Sequence, residues 1–402
     1  MERTVGIDQI GIYTPGYALP LAALATARGV PVEKIHLGLG AYEMSVAPPW
    51  EDAVTLAASA ALRALGSAGT AADEIGLLLV GTETAVDHAK PIGSFLHELL
   101  GLSSRCRTVE LKHACYGGTA GMMLAIEWLR SGAARGRKAL VVATDIARYD
   151  LGSSAEFTQG AGAAALLLSE QPRLLALDPA TGVYARNVYD FWRPLDRREA
   201  LVDGKFSIDC YLDALDGALQ DLRANGGSAG NLSAECAALL YHSPFPKMTY
   251  KAHQRLLQHE AARAGVAAED LEQSYAQLVE PTMGGARRIG NTYTASLYVC
   301  LAWLAEQQAA AMAGQSIGLF SYGSGCCSEF FTGRIAADAA RMAAAIGLKA
   351  QLDARRVLSV AEYEAFARAG SGELPGSDDR SAIRFLGVRD DRRVYERVAD
   401  CA

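Results

Sequence analysis

Three side chains in this 402-residue chain are suited to bond making beside a carbonyl: the thiol of Cys115, the carboxylate of Glu83 and the imidazole of His242. A thiol can carry an acyl group covalently, a carboxylate can remove a proton, and an imidazole can hold or protonate an oxygen. Cys115 follows the strand-like "RTVEL" and precedes "YGGTAGMMLAIEWL", which reads as a helix. A thiol at a helix N-terminus feels the positive end of the helix dipole, which favours the thiolate and predicts a nucleophile near neutral pH. Gly117 and Gly118 are expected to let an acyl group lie against the backbone, its carbonyl oxygen accepting amide hydrogen bonds. A lone cysteine is more often buried filler; the strand-to-helix setting argues for the nucleophile.

Glu83 ends the apolar run "IGLLLVGTE", where a carboxylate either caps a turn or enters a cleft. His242 ends "ECAALLYHSPFPK", with Pro244 two residues on. The bland reading, a surface or capped residue, is given to His36, His88, His97, His253 and His259, and His113 is taken as structural. Cys106, Cys210, Cys236, Cys300 and Cys401 read as small apolar filler, and the adjacent Cys326 and Cys327 as packing.

The elements that must position these groups alternate. "EIGLLLVGTET", "KALVVATDIARY", "AALLYHSPF" and "SIGLFSYGSG" read as strands. "EDAVTLAASAALRALG", "GGTAGMMLAIEWLRSG", "YLDALDGALQDLRANG" and "TASLYVCLAWLAEQQ" have the spacing of amphipathic helices. The order predicts a layered α/β architecture. It also repeats: helix start to strand end spans 32 residues from Glu51 to Glu83 and 31 from Tyr211 to His242. From Cys115 to the strand at Lys138 is 23 residues, and from Asn291 to the strand at Ser316 is 25. This predicts an internal duplication, with halves at 1–172 and 173–402. Reactive residues would then gather at the carboxyl ends of strands. "SGELPGSDDRS", from Ser371, is expected to be a polar loop.

Half of the residues are hydrophobic and 21% charged, the balance of a globular protein with a substantial core. A formal net charge of −7 speaks against a nucleic-acid or anionic-membrane partner. No signal peptide or membrane-length apolar run is read, so the expected location is cytoplasmic. Eight cysteines without a CxxC pair indicate neither a zinc site nor a disulfide scaffold. "GAGAAA" from Gly160 fits a dinucleotide fingerprint but runs into a strand, so that reading fails.

"VELKHACYGGTAG", "VGTETAVDHAKP", "ATDIARY", "FTQGAGA", "VYDFWRP", "YHSPFPKM", "GNTYTASLY" and "SYGSG…EFFTG", in this order, resemble the short bacterial 3-hydroxy-3-methylglutaryl-CoA synthases. The resemblance runs from about Val5 to the C-terminal "RRVYE". It implies a thiolase-like fold of five αβαβα layers, normally a homodimer. It also implies roles: Cys115 takes an acetyl group from a thioester, Glu83 removes a proton from its methyl, and His242 holds and protonates the ketone oxygen of an acetoacetyl thioester. Asn291 and Ser321 would line the acyl pocket with Tyr149 and Thr158 nearby, and Lys247 and Lys251 would meet the phosphates of CoA. No metal or other cofactor is implied. The rival within the fold is the polyketide β-branching enzyme, which takes its acyl groups from acyl carrier proteins; a non-catalytic thiolase-fold partner is more remote, since such a chain should have lost its nucleophile or base.

Overall fold

A computed structural model describes residues 4–197, 199–228, 230–265, 270–369 and 382–398. The segment from Ser371 to Ser381, and Cys401, lie outside the described residues. In the first half the principal strands are β1 (Gly6–Tyr13), β2 (Ile75–Gly81), β3 (Arg107–Leu111), β4 (Lys138–Ala147) and β5 (Gly160–Ser169). The second half contributes β6 (Leu175–Ala185), β7 (Ala238–Tyr241), β8 (Ser316–Gly323) and β9 (Cys327–Ile335). Together they form one nine-stranded sheet, ordered β7-β8-β9-β6-β1-β5-β4-β2-β3.

The order is a repeat about its centre. Outward from β1 come β5, antiparallel, then β4, antiparallel, then β2, parallel. Outward from β6 come β9, β8 and β7 with the same three orientations. The second half has no counterpart of β3 among the described residues. The halves join where Gly6 pairs with Ala176 and Ile7 with Leu175. A β-carbon at Gly6 would lie 2.1 Å from the Leu175 carbonyl oxygen, so only glycine allows this approach.

Strand alternation divides the core. On β4, Leu140 and Val142 point to one cluster, while Ala139, Val141 and Ala143 point to another. The first cluster is closed by helix α1 (Ala53–Ala68), whose start is fixed by a capping box between Asp52 and Thr55. The second holds helix α2 (Gly117–Arg130). Helix α3 (Gly204–Ala224) packs on β6 and β9; it begins at Gly204, capped by Asp203, seven residues before the start expected at Tyr211. The cap signal there is a single aspartate, easily missed beside the stronger periodicity that follows. Helix α4 (Pro246–Ala264) follows β7, and helix α5 (Ser296–Gln308) precedes β8.

Helices α2 and α5 lie between the two halves of the sheet. Thr119 on α2 hydrogen-bonds both Tyr298 on α5 and Ser321 on β8, each at 2.8 Å. Read as amphipathic, α5 proves buried all round: Ser296 to Ala302, Leu304 and Ala305 are inaccessible, as an inner layer requires. The outer α1, a sheet half, the inner α2 and α5, the other sheet half and the outer α3 make the five layers.

Candidate functional site

Strands β2, β3 and β4 run parallel, as do β7 and β8, so their carboxyl ends present the following loops together. Glu83 stands two residues beyond β2, which stops at Gly81 rather than at the glutamate; Cys115 lies four beyond β3 and His242 one beyond β7. Cys115, Tyr149, Thr158, His242 and Asn291 line one cavity of about 200 Å³, with Tyr211, Met248, Tyr293 and Tyr322 among its walls.

The Cys115 thiol donates to Glu83 Oε1 at 3.1 Å. Ala114, just before it, holds φ at 41°, a left-handed conformation that turns the chain sharply from β3 into α2. Burial, then the nearby carboxylates of Glu83, Asp145 and Asp190, push the thiol well above its ordinary range. The thiolate expected from the helix dipole is therefore not the resting form: desolvation and facing negative charge outweigh the half-charge of a helix end. Burial, with the charge of Asp145 second, pushes the Glu83 carboxyl up to about 8. Both groups thus favour their protonated forms near pH 7.

Asp145 went unremarked in the sequence, and it is the hub of the site. Fully buried at the end of β4, its Oδ1 accepts from Glu83 N at 2.9 Å, Thr82 Oγ1 at 3.0 Å and Thr84 Oγ1 at 2.8 Å. Its Oδ2 accepts from Thr294 N at 3.0 Å and Thr294 Oγ1 at 2.5 Å. One carboxylate so ties the Glu83 loop to the loop ahead of α5. Asp190, also missed, does the same for another wall: it accepts from the Tyr322 hydroxyl at 2.6 Å and from Gly325 N at 2.9 Å. The only sequence signal for either was an acid embedded in "ATDIARY" or "VYDFWRP".

His242 lies against Tyr211, ring centroids 6.4 Å apart and nearly parallel, and the Tyr211 hydroxyl donates to the His242 carbonyl oxygen at 2.8 Å. Burial pushes the imidazole down to about 3, so it is neutral near pH 7. It can donate an N–H hydrogen bond but does not rest as an imidazolium near pH 7. Asn291 Oδ1 accepts from Tyr293 N at 2.8 Å and Ser296 Oγ at 3.1 Å, which leaves its amide NH₂ for the cavity. The Asn291 N–H bonds the Thr158 carbonyl, and the Tyr149 hydroxyl is bonded to that of Tyr293.

Other expectations land elsewhere. Ser321 does not line the cavity: alternation along β8 turns it inward to Thr119, and Tyr322 and Ser324 face the cavity instead. Gly117 and Gly118 serve packing rather than an acyl group. A β-carbon on Gly118 would come within 2.8 Å of Ala143 Cβ, and one on Gly117 within 3.1 Å of the Leu111 carbonyl oxygen. Lys247 and Lys251 share a face of α4 as expected, but outside the cavity; Lys247 is exposed, its Nζ 4.0 Å over the Tyr250 ring. His253, read as a surface or capped residue, is fully buried between Tyr241 and Ser274, whereas Cys106, Cys210, Cys236 and Cys300 are the buried filler expected. No group of His, Cys, Asp and Glu among the described residues could hold a metal ion, and no described helix is long and apolar enough to cross a membrane.

The family models for the N-terminal and C-terminal parts of hydroxymethylglutaryl-coenzyme A synthase match residues 1–172, and residues 175–269 and 260–369. The chain belongs to the hydroxymethylglutaryl-coenzyme A synthase family. The hydroxymethylglutaryl-CoA synthase of Enterococcus faecalis is 40% identical over 362 residues, covering 90% of this chain and 91% of that protein. MvaS, solved in complex with 3-hydroxy-3-methylglutaryl coenzyme A, superposes with a TM-score of 0.94 at 44% identity, covering 99% of this chain and 100% of the other. A 3-hydroxy-3-methylglutaryl-ACP synthase of polyketide biosynthesis from Bacillus subtilis is 34% identical, covering 92% and 89%. As a hydroxymethylglutaryl synthase of thiolase-like fold, the chain is a transferase-type enzyme.

Proposed function

We propose that this chain condenses acetyl-CoA with acetoacetyl-CoA, with Cys115, Glu83 and His242 as its catalytic residues. The observation that carries this reading is the 3.1 Å contact between the Glu83 carboxyl, which lines an adjoining cavity sharing Tyr149 and Tyr293, and the Cys115 thiol, which lines the cavity holding His242 and Asn291. The greater identity to the CoA-type relatives, 40% and 44% against 34%, supports CoA as the carrier.

In the first step Cys115 attacks the acetyl carbonyl; the S–C bond to CoA breaks, and the thiol proton leaves by way of Glu83 to the departing CoA thiolate. In the second, Glu83 removes a proton from the methyl of the cysteine-bound acetyl group. The resulting carbanion equivalent attacks the ketone carbon of acetoacetyl-CoA. His242, neutral, holds that oxygen through an N–H hydrogen bond as negative charge grows on it, and the proton taken by Glu83 returns to the new alkoxide. Water then cleaves the thioester, releasing the carboxylate product, a proton and the free Cys115 thiol. These steps need a thiol, a base and hydrogen-bond donors, with no metal or further cofactor.

Lys247 and Lys251, on one face of the first turns of α4 beside the cavity residue Met248, offer positive charge to the CoA phosphates. The enzyme is a cytoplasmic homodimer in this reading, joined along β3. That strand ends the sheet, Val109 on it is 42% exposed, and Leu124 on the following helix is 53% exposed.

The test is incubation with acetyl-CoA, peptide mass spectrometry, then addition of acetoacetyl-CoA or of an acetoacetyl carrier protein. Acetyl on Cys115 that is discharged as hydroxymethylglutaryl-CoA supports the reading. Discharge by the carrier-protein substrate alone would replace CoA with a carrier protein, and absence of acetyl from Cys115 would overturn the mechanism.

A further inference from the structure

The residue pair Ser321 and Glu329 sits directly across β8 and β9, so both side chains leave the same face of the sheet. That face meets the first turn of α2. The Tyr116 hydroxyl donates to Glu329 Oε2 at 2.7 Å, and the Thr119 hydroxyl donates to Ser321 Oγ at 2.8 Å. Tyr116 and Thr119 are three residues apart, hence neighbours on one side of the helix, and Tyr116 directly follows Cys115. Ser321, Glu329 and Thr119 are each at most 4% exposed. Close backbone approach completes the grip: a β-carbon on Gly323 would lie 2.6 Å from the His113 carbonyl oxygen and 2.6 Å from both Tyr116 N and Tyr116 Cβ.

We infer that Glu329 and Ser321 are positioning residues of the second half of the chain which, through Tyr116 and Thr119, hold the Cys115 loop in the orientation that presents its thiol to substrate. A buried glutamate is expensive to keep for packing alone. Here its polar partners are Thr181 and a phenol hydroxyl one residue from the nucleophile, and a hydrogen-bonded pair constrains direction as an apolar contact does not. The left-handed Ala114 on the other side of Cys115 makes such a constraint necessary, since a non-glycine residue in that region persists only when its surroundings over-determine it. Both anchors come from β8 and β9 and the nucleophile from the β3-to-α2 loop, so the reactive geometry forms only when the halves are docked.

The inference rests on Cys115 being the reactive thiol, and its test separates the two. The variants are Tyr116→Phe, which removes one oxygen, Glu329→Leu and Glu329→Gln, each checked for folding by circular dichroism and thermal melting. Two rates are read: alkylation of Cys115 by iodoacetamide, followed by peptide mass spectrometry, and acetylation by acetyl-CoA. Misorientation should slow acetylation by roughly tenfold or more in Tyr116→Phe and Glu329→Leu, because a small displacement of a nucleophile is costly. The KM for acetyl-CoA should change little, and the double variant should be little slower than the slower single one, since both break the Tyr116–Glu329 contact, although Glu329 also bonds Thr181 and Tyr116 also bonds Cys327. Glu329→Gln, which keeps an acceptor oxygen, should recover most of the rate. Parent-rate acetylation in folded Tyr116→Phe, or losses that multiply in the double variant, would overturn the inference. If Glu329→Leu does not fold, Tyr116→Phe with Ser321→Ala decides alone. If the parent is not acetylated at all, the functional reading fails, while altered alkylation of Cys115 still reports the clamp.

Discussion

The thiol of Cys115 donates to the carboxylate of Glu83 across 3.1 Å, joining the loops beyond two adjacent parallel strands. In the mechanism proposed above, this contact orders the chemistry. While the thiol is free, its hydrogen occupies the base. In the proposed mechanism an acetyl group replaces that hydrogen, so that Glu83 loses a donor and is free to deprotonate the methyl.

Cys115→Ser should fold and yet accumulate no acetyl adduct, because a hydroxyl is far less acidic than a thiol even where burial raises the thiol. Intact-protein mass spectrometry after acetyl-CoA treatment measures this. Acetylation mapped to Cys326 or Cys327 in the parent would refute the assignment.

Glu83→Ala should still be acetylated and should lose condensation by roughly a hundredfold or more, since only carbon–carbon bond formation needs a carbon acid deprotonated. Adduct amplitude and product formation are read separately. Equal loss of both would show Glu83 acting before deprotonation.

The raised value of Glu83 has a sign that thermal melting can read. A carboxyl whose folded-state value is raised favours folding while protonated; that contribution is complete below its ordinary 4.5 and is lost as pH climbs through about 8. Glu83→Gln carries no such charge, so its stability relative to the parent should grow across that interval. A difference independent of pH would refute the buried-carboxylate reading. His242 runs oppositely: its value is lowered, so its contribution is present above 6.5 and fades as pH falls towards about 3.

Asp145→Asn keeps one acceptor oxygen and turns the other into a donor facing the Thr294 or Thr82–Thr84 groups. The expected cost is about 1–3 kcal/mol in denaturant unfolding, from buried donors left unpaired. Condensation should fall more than acetylation, because Glu83 loses its support; an unchanged kcat would remove Asp145 from the positioning of Glu83.

Replacing Lys247 and Lys251 by Ala should raise the KM for acetoacetyl-CoA, flatten its salt dependence and leave Cys115 acetylation chemistry largely intact. If the pair belongs only to a solvated face, which the Lys247 contact with Tyr250 permits, KM will not move. Parent-like kinetics on CoA substrates, with carrier-protein thioesters used much faster by the parent, would exchange the proposed carrier.

The sequence alone determined the layered α/β class, the repeat and the placement of Glu83, Cys115 and His242 at or near strand ends. Those features are local: strand and helix periods and Gly punctuation are written in consecutive residues. It did not show Asp145 or Asp190, because an acid inside an apolar run declares no partner until the donors of distant loops close around it. It misplaced Ser321 by one residue, since which face of a strand looks at a cavity depends on what covers each face. It read Gly117 and Gly118 as room for substrate when the tight contact is with Ala143 and Leu111. The ionisation state expected of Cys115 reversed for the same reason. A helix end near a thiol is visible in a sequence, but the burial and the facing carboxylates that keep Cys115 protonated, and the burial that keeps His242 neutral, exist only once both halves of the chain enclose the cavity.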